Sequence, residues 1–306
     1  MNPKRGFFFL AAGLVMITLC EAADNPSIQV VTSDAAVKGF PIVLKVTAIG
    51  RQIAPKMSLF DEHAAVGVRL KPKDEDGREY LIVSSKGEGM VYTNREGEQI
   101  DAGRLYRVPL GAGDKRSMLL DLASVRPEIG KGITMEDVPP GNYLLTIKFG
   151  DSGLESNSVP LVLKEPSQKE KAIAERIALD KDTGIRRTWC RLLRTAWPIT
   201  NVPATAVSTE AASQLSFHQM LGKVLSSDKL EKVLVQDIRS ASVPHWLTPE
   251  RDALAIMVEL ATGSGASAGK AEGELLEQHP ELRWRFDDFH KDGVGEFLRY
   301  ALFLGK

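Results

Sequence analysis

The chain has 306 residues, with 39 Lys and Arg against 40 Asp and Glu, and its formal charge of −1 supplies no bulk field for holding a nucleic acid. Two cysteines and 43% apolar residues place its stability in packing rather than in a disulfide framework, which a chain of this length permits.

The first residues carry an address. Met1-Asn-Pro-Lys4-Arg5 is a short basic start, Phe7 to Cys20 is an almost unbroken apolar run, and small residues close it at Cys20-Glu-Ala-Ala23. That is the layout of a secretory signal peptide. As a helix the apolar run rises only about 21 Å, short of the roughly 30 Å hydrocarbon core of a bilayer. Residues 1–22 are therefore expected to be a leader cleaved between Ala22 and Ala23, and the protein to be exported, periplasmic or secreted. The alternative is a lipoprotein anchored through Cys20, which alone would make a membrane its partner; Leu19 is bulkier than such signals prefer directly before the cysteine. After cleavage only Cys190 remains, so no intrachain disulfide forms, and no Asn-X-Ser/Thr acceptor occurs because Asn25 precedes Pro26. Both absences fit a bacterial envelope better than a eukaryotic secretory route.

From Ser27 to Leu163 the apolar pattern has a period near two. Strands are expected over Ser27–Thr32, over Phe40–Ile49 with Ile42, Leu44 and Val46 on one face, and over Val66–Leu70. The charged turn Asp74-Glu-Asp-Gly77 leads to Tyr80–Val83; Met90–Thr93, Arg104–Val108, Ser117–Leu122, Tyr143–Phe149 and Val159–Leu163 follow. Short strands separated by regular turns indicate a β-sandwich or barrel.

Two segments carry a resemblance. Val37-Lys-Gly-Phe-Pro-Ile-Val-Leu-Lys-Val46 looks like an early strand entered through Gly-X-Pro, and Val138-Pro-Pro-Gly-Asn-Tyr143-Leu-Leu-Thr-Ile147 like the turn and tyrosine opening a penultimate strand. In these the chain resembles the immunoglobulin-like superfamily of bacterial extracytoplasmic domains, which implies an antiparallel sandwich with Tyr143 as a tyrosine corner. It departs from antibody-type domains at Leu145, where the second cysteine would stand, and no tryptophan precedes Trp189. Such a fold implies no function.

At Glu165 the period changes. Ser167 with Glu170 is a capping box opening a helix that carries Ile173 and Ile177, Asp180-Lys-Asp-Thr-Gly184 reads as a polar break, and Ile185–Trp197 resumes. Thr209–Ser226 and Asp228–Arg239 follow. Thr248-Pro249-Glu250 reads as cap, proline and acid of a central helix ending at Gly263, Gly263–Gly269 as a flexible loop, and Ala271–Gln278, Pro280–Lys291 and Val294–Leu304 as further helices. The expected organisation is thus multidomain β + α: leader 1–22, immunoglobulin-like sandwich 23–164, and all-α helical domain 165–306. The linker Glu165-Pro-Ser-Gln168 is too short for free tumbling, so the two halves are expected to touch.

Chemistry-bearing motifs are sparse. No Gly-X-Ser-X-Gly, His-Glu-X-X-His, phosphate loop or dinucleotide fingerprint occurs, and no cofactor is implied. Cys190 stands in no nucleophile motif, and a buried thiol is its ordinary account. Asp180–Gly184 misses calcium-loop spacing. His279, Asp288 and His290 are candidate metal ligands, but a closed site needs more ligands than they supply. Arg187, Arg191 and Arg194 fall at i, i+4 and i+7, a stripe able to grip phosphates or carboxylates of an envelope polyanion; equally, an amphipathic helix must put its charges somewhere. Trp197 and Trp246 are packing residues or, alternatively, stacking residues for a partner or sugar. The loops Gly87–Gly89 and Gly111–Gly113 are possible contact points. The expectation is a non-catalytic binding or structural module recognising a protein or polysaccharide of the envelope. The rival is a secreted hydrolase using His279, Asp288 and His290 in the helical half or between the halves.

Overall fold

The computed structural model describes residues 27–50, 66–73, 77–83, 91–93, 99–101, 114–122, 133–149, 154–187, 202–226, 235–263 and 265–292. Its strands are β1 (Ser27–Val31), β2 (Ala35–Val37), β3 (Val43–Ile49), β4 (Val66–Pro72), β5 (Tyr80–Val83), β6 (Val91–Thr93), β7 (Gln99–Asp101), β8 (Lys115–Asp121), β9 (Gly141–Phe149), β10 (Leu154–Glu155) and β11 (Val159–Lys164). The helices that follow are α1 (Gln168–Arg187), α2 (Thr209–Ser226), α3 (Val235–Arg239), α4 (Thr248–Ala261), α5 (Gly265–Gln278) and α6 (Arg283–Asp292). The protein is therefore mixed β and α. The leader, Arg104–Val108, Asp228–Lys232 and Val294–Leu304 lie outside the described residues.

A three-stranded antiparallel sheet has the order β1-β3-β8, and a six-stranded mixed sheet the order β2-β11-β9-β4-β5, with β10 beside β9. β6 and β7 pair separately. Alternation decides what each strand buries. Ile28 and Val30 of β1 and Leu44, Val46 and Ala48 of β3 meet Val68, Leu70, Tyr143, Leu145, Ile147 and Leu161 of the larger sheet in one buried cluster. The opposite face of the smaller sheet is buried too. Val43 and Leu119 there join a second cluster with Phe217 and Met220 of α2, Ala253 to Val258 of α4, Leu282, and Phe286 and Phe289 of α6. The helices thus continue the core of the β half.

Two local features expected from sequence are present. The Tyr143 hydroxyl donates to the Pro139 carbonyl at 2.7 Å, closing the tyrosine corner. Ser167 and Glu170 form a reciprocal capping box: the Ser167 N–H donates to Glu170 at 2.8 Å, and the Glu170 N–H to the Ser167 hydroxyl at 3.4 Å. Ile177 then packs with Val37, Phe40, Ala211 and Leu215, joining β2 to α1 and α2.

Three expectations are corrected. Asp180–Gly184 does not break its helix; α1 runs unbroken through Arg187. One interior glycine costs a helix only about 1 kcal/mol, and Lys and Ala nearby favour helix. Gly263–Gly269 is not a loop, because α5 starts at Gly265. Gly263 takes a left-handed φ of 93° after α4, and Ala268 is fully buried, so packing overrides the weak propensity of a Gly- and Ser-containing first turn. Thr248 is not an N-cap. The 3-10 turn His245–Leu247 runs straight into α4, Thr248 is already helical (φ −54°, ψ −44°), and no side chain caps the helix. β2, β7 and β10 were not expected; runs of two or three residues are too short to show a period.

Candidate functional site

Among the described residues, a dense group of ionisable side chains lies between the smaller sheet and the helices. β3 and β8 are antiparallel, pairing Lys45 with Leu119 and Thr47 with Ser117, so Lys45 and Ser117 emerge on the helix-facing side. The Lys45 Nζ lies 3.1 Å from Glu281 Oε1 and 3.9 Å from Glu250 Oε1. Glu250, in the first turn of α4, accepts from the Ser117 hydroxyl at 3.0 Å, and its other oxygen lies 3.5 Å from Arg285 Nε of α6. The Trp284 indole N–H donates to the Ser117 carbonyl at 3.1 Å, and the Arg285 guanidinium stacks 4.7 Å from the Trp284 ring centre. The side chains of Glu250 and Arg285 are 0% exposed and that of Lys45 is 9% exposed. Burial pushes the Glu281 carboxyl up, but its own backbone N–H, the Lys45 ammonium and His279 outweigh that and hold it below the usual range. Two cations and two carboxylates therefore balance across β3, α4, the 3-10 turn Pro280–Leu282 and α6, which is how charges become tolerable in a dry interface.

A second contact of this kind lies beside it. The Asp121 Oδ1 accepts the Ile42 N–H at 3.0 Å, and its Oδ2 lies 3.8 Å from Nε2 of His218 on α2, both side chains buried. Where α1 and α2 begin, Glu170 accepts from the Ser208 N–H at 2.9 Å and the Ser208 hydroxyl at 2.6 Å as well as from Ser167. Those hydrogen bonds, from the Ser167 and Ser208 side first, lower its carboxyl to about 2.

The expected site residues fare differently. Arg187 is the last residue of α1; its side chain, with Arg191 and Arg194, lies outside the described residues, as do Cys20, Ala22, Ala23, Cys190, Trp197 and the Gly87–Gly89 and Gly111–Gly113 loops. His279 and His290 are not brought together. His279 Nδ1 is 3.4 Å from Glu281, whereas His290 Nε2 is 3.0 Å from Glu272 of α5. The side chain of Asp288 lies outside the described residues. Among the described residues, no three His, Cys, Asp or Glu side chains converge as a metal site requires. Trp246 is half-buried and, with Thr32, Ser33, Gln214 and Pro244, lines a crevice beside the β1–β2 turn.

Sequence reasoning missed the ionic seam. On an alternating strand Lys45, Ser117 and Asp121 look like solvent-facing residues, since nothing local says that a helix covers them. One signal was available: Glu250 opens a helix that is apolar almost all round, so its carboxylate enters the same interior as Leu254 and Met257.

No known protein family matches this chain, and no curated protein matches it.

Proposed function

We propose that this is an exported, non-catalytic binding or structural protein of the bacterial cell envelope that recognises a protein or polysaccharide partner. Its β half, residues 23–164, is on this reading an immunoglobulin-like sandwich, and residues 165–306 form a helical part fixed to it. The leader pattern of Met1–Ala22 supports export. The shared core of the two sheets and the Tyr143–Pro139 hydrogen bond support the fold. The observation that carries the reading is the buried seam. Lys45, Glu250 and Arg285 face one another at the sheet–helix boundary with their side chains at most 9% exposed, which supports a role in fixing the helices to the sheet. His279 and His290 each engage a different carboxylate, which weighs against the hydrolase reading.

The test begins with the intact mass and the soluble or membrane partition of protein recovered from a bacterial envelope. The expected result is a soluble species beginning at Ala23, which then serves as bait for envelope proteins and polysaccharides. A membrane species beginning at Cys20 with added acyl mass would overturn the localisation. Turnover of model glycosides, esters or peptides by the purified protein, lost on His279→Ala, would overturn the non-catalytic assignment.

A further inference from the structure

We draw no further inference here: the strongest candidate, the crevice beside the β1–β2 turn lined by Thr32, Ser33, Ser213 and Trp246, encloses room for only about one water molecule, and nothing in the structure shows what covers it.

Discussion

Replacing Glu250 by Gln leaves shape and volume nearly unchanged while removing the one carboxylate shared by Lys45, Ser117 and Arg285. The fully buried Arg285 and almost buried Lys45 then lose half of their counter-charge, with Glu281 remaining for Lys45. Breaking a buried ion pair by removing one partner typically destabilises by about 3–5 kcal/mol. For a protein of this size that lowers the melting temperature by roughly 6–10 °C. Urea unfolding followed by tryptophan fluorescence measures it well, because Trp189, Trp197, Trp246 and Trp284 all lie in the helical half. The sign of the triple replacement Lys45→Met, Glu250→Leu and Arg285→Met is the sharper part. With Lys45, Glu250 and Arg285 all uncharged, Glu281 is the remaining charge of the group and keeps 15% exposure to water, so the burial cost falls and the triple variant is expected to be more stable than Glu250→Gln alone. The reasoning is refuted if Glu250→Gln lies within about 1 kcal/mol of wild type. It is equally refuted if the triple variant is less stable than the single one, since the seam would then gain more from its Coulombic contacts than burial costs it.

Three further outcomes follow from single residues. Glu170 is held at about 2 in the folded protein against an ordinary 4.5, so its contribution to stability is present above pH 4.5 and is lost as pH falls toward 2; Glu170→Gln should flatten the unfolding free energy across that window, and an unchanged pH slope would contradict it. Gly39 sits at φ 88°, and a Cβ placed there would lie 2.7 Å from the Ala174 Cβ of α1, so Gly39→Ala should destabilise by about 1–3 kcal/mol in chemical denaturation, with a neutral result refuting the close approach. Tyr143→Phe removes the hydroxyl that closes the turn on Pro139 and should cost about 1 kcal/mol in the same assay.

The sequence foretold what local chemistry decides. The β3 face of Leu44 and Val46, the Ser167–Glu170 box and the Tyr143 corner each depend on residues a few positions apart, where period, cap and turn leave a direct trace. α2 begins and ends where its pattern predicts, at Thr209 and Ser226. What stayed hidden depends on who meets whom across long separations. Val30 is held by Asn157 and Val37 by Gln214, pairs for which no spacing rule exists. Ser117 and Asp121 look like solvated residues until α4 and α2 cover them. The first turn of α5 failed for the opposite reason: local propensity spoke for a loop, and burial of Ala268 overrode it.

The account rests on the helices and the β half forming one interior, and amide hydrogen exchange over a urea series tests that most directly. Amides of β9, inside the inter-sheet core, and of α4, inside the sheet–helix core, are predicted to exchange through one global opening with the same free energy and the same urea dependence. If α4 opens at low urea while β9 keeps its protection, the seam is a contact between independent units, and the fixed two-layer scaffold proposed for this protein is wrong.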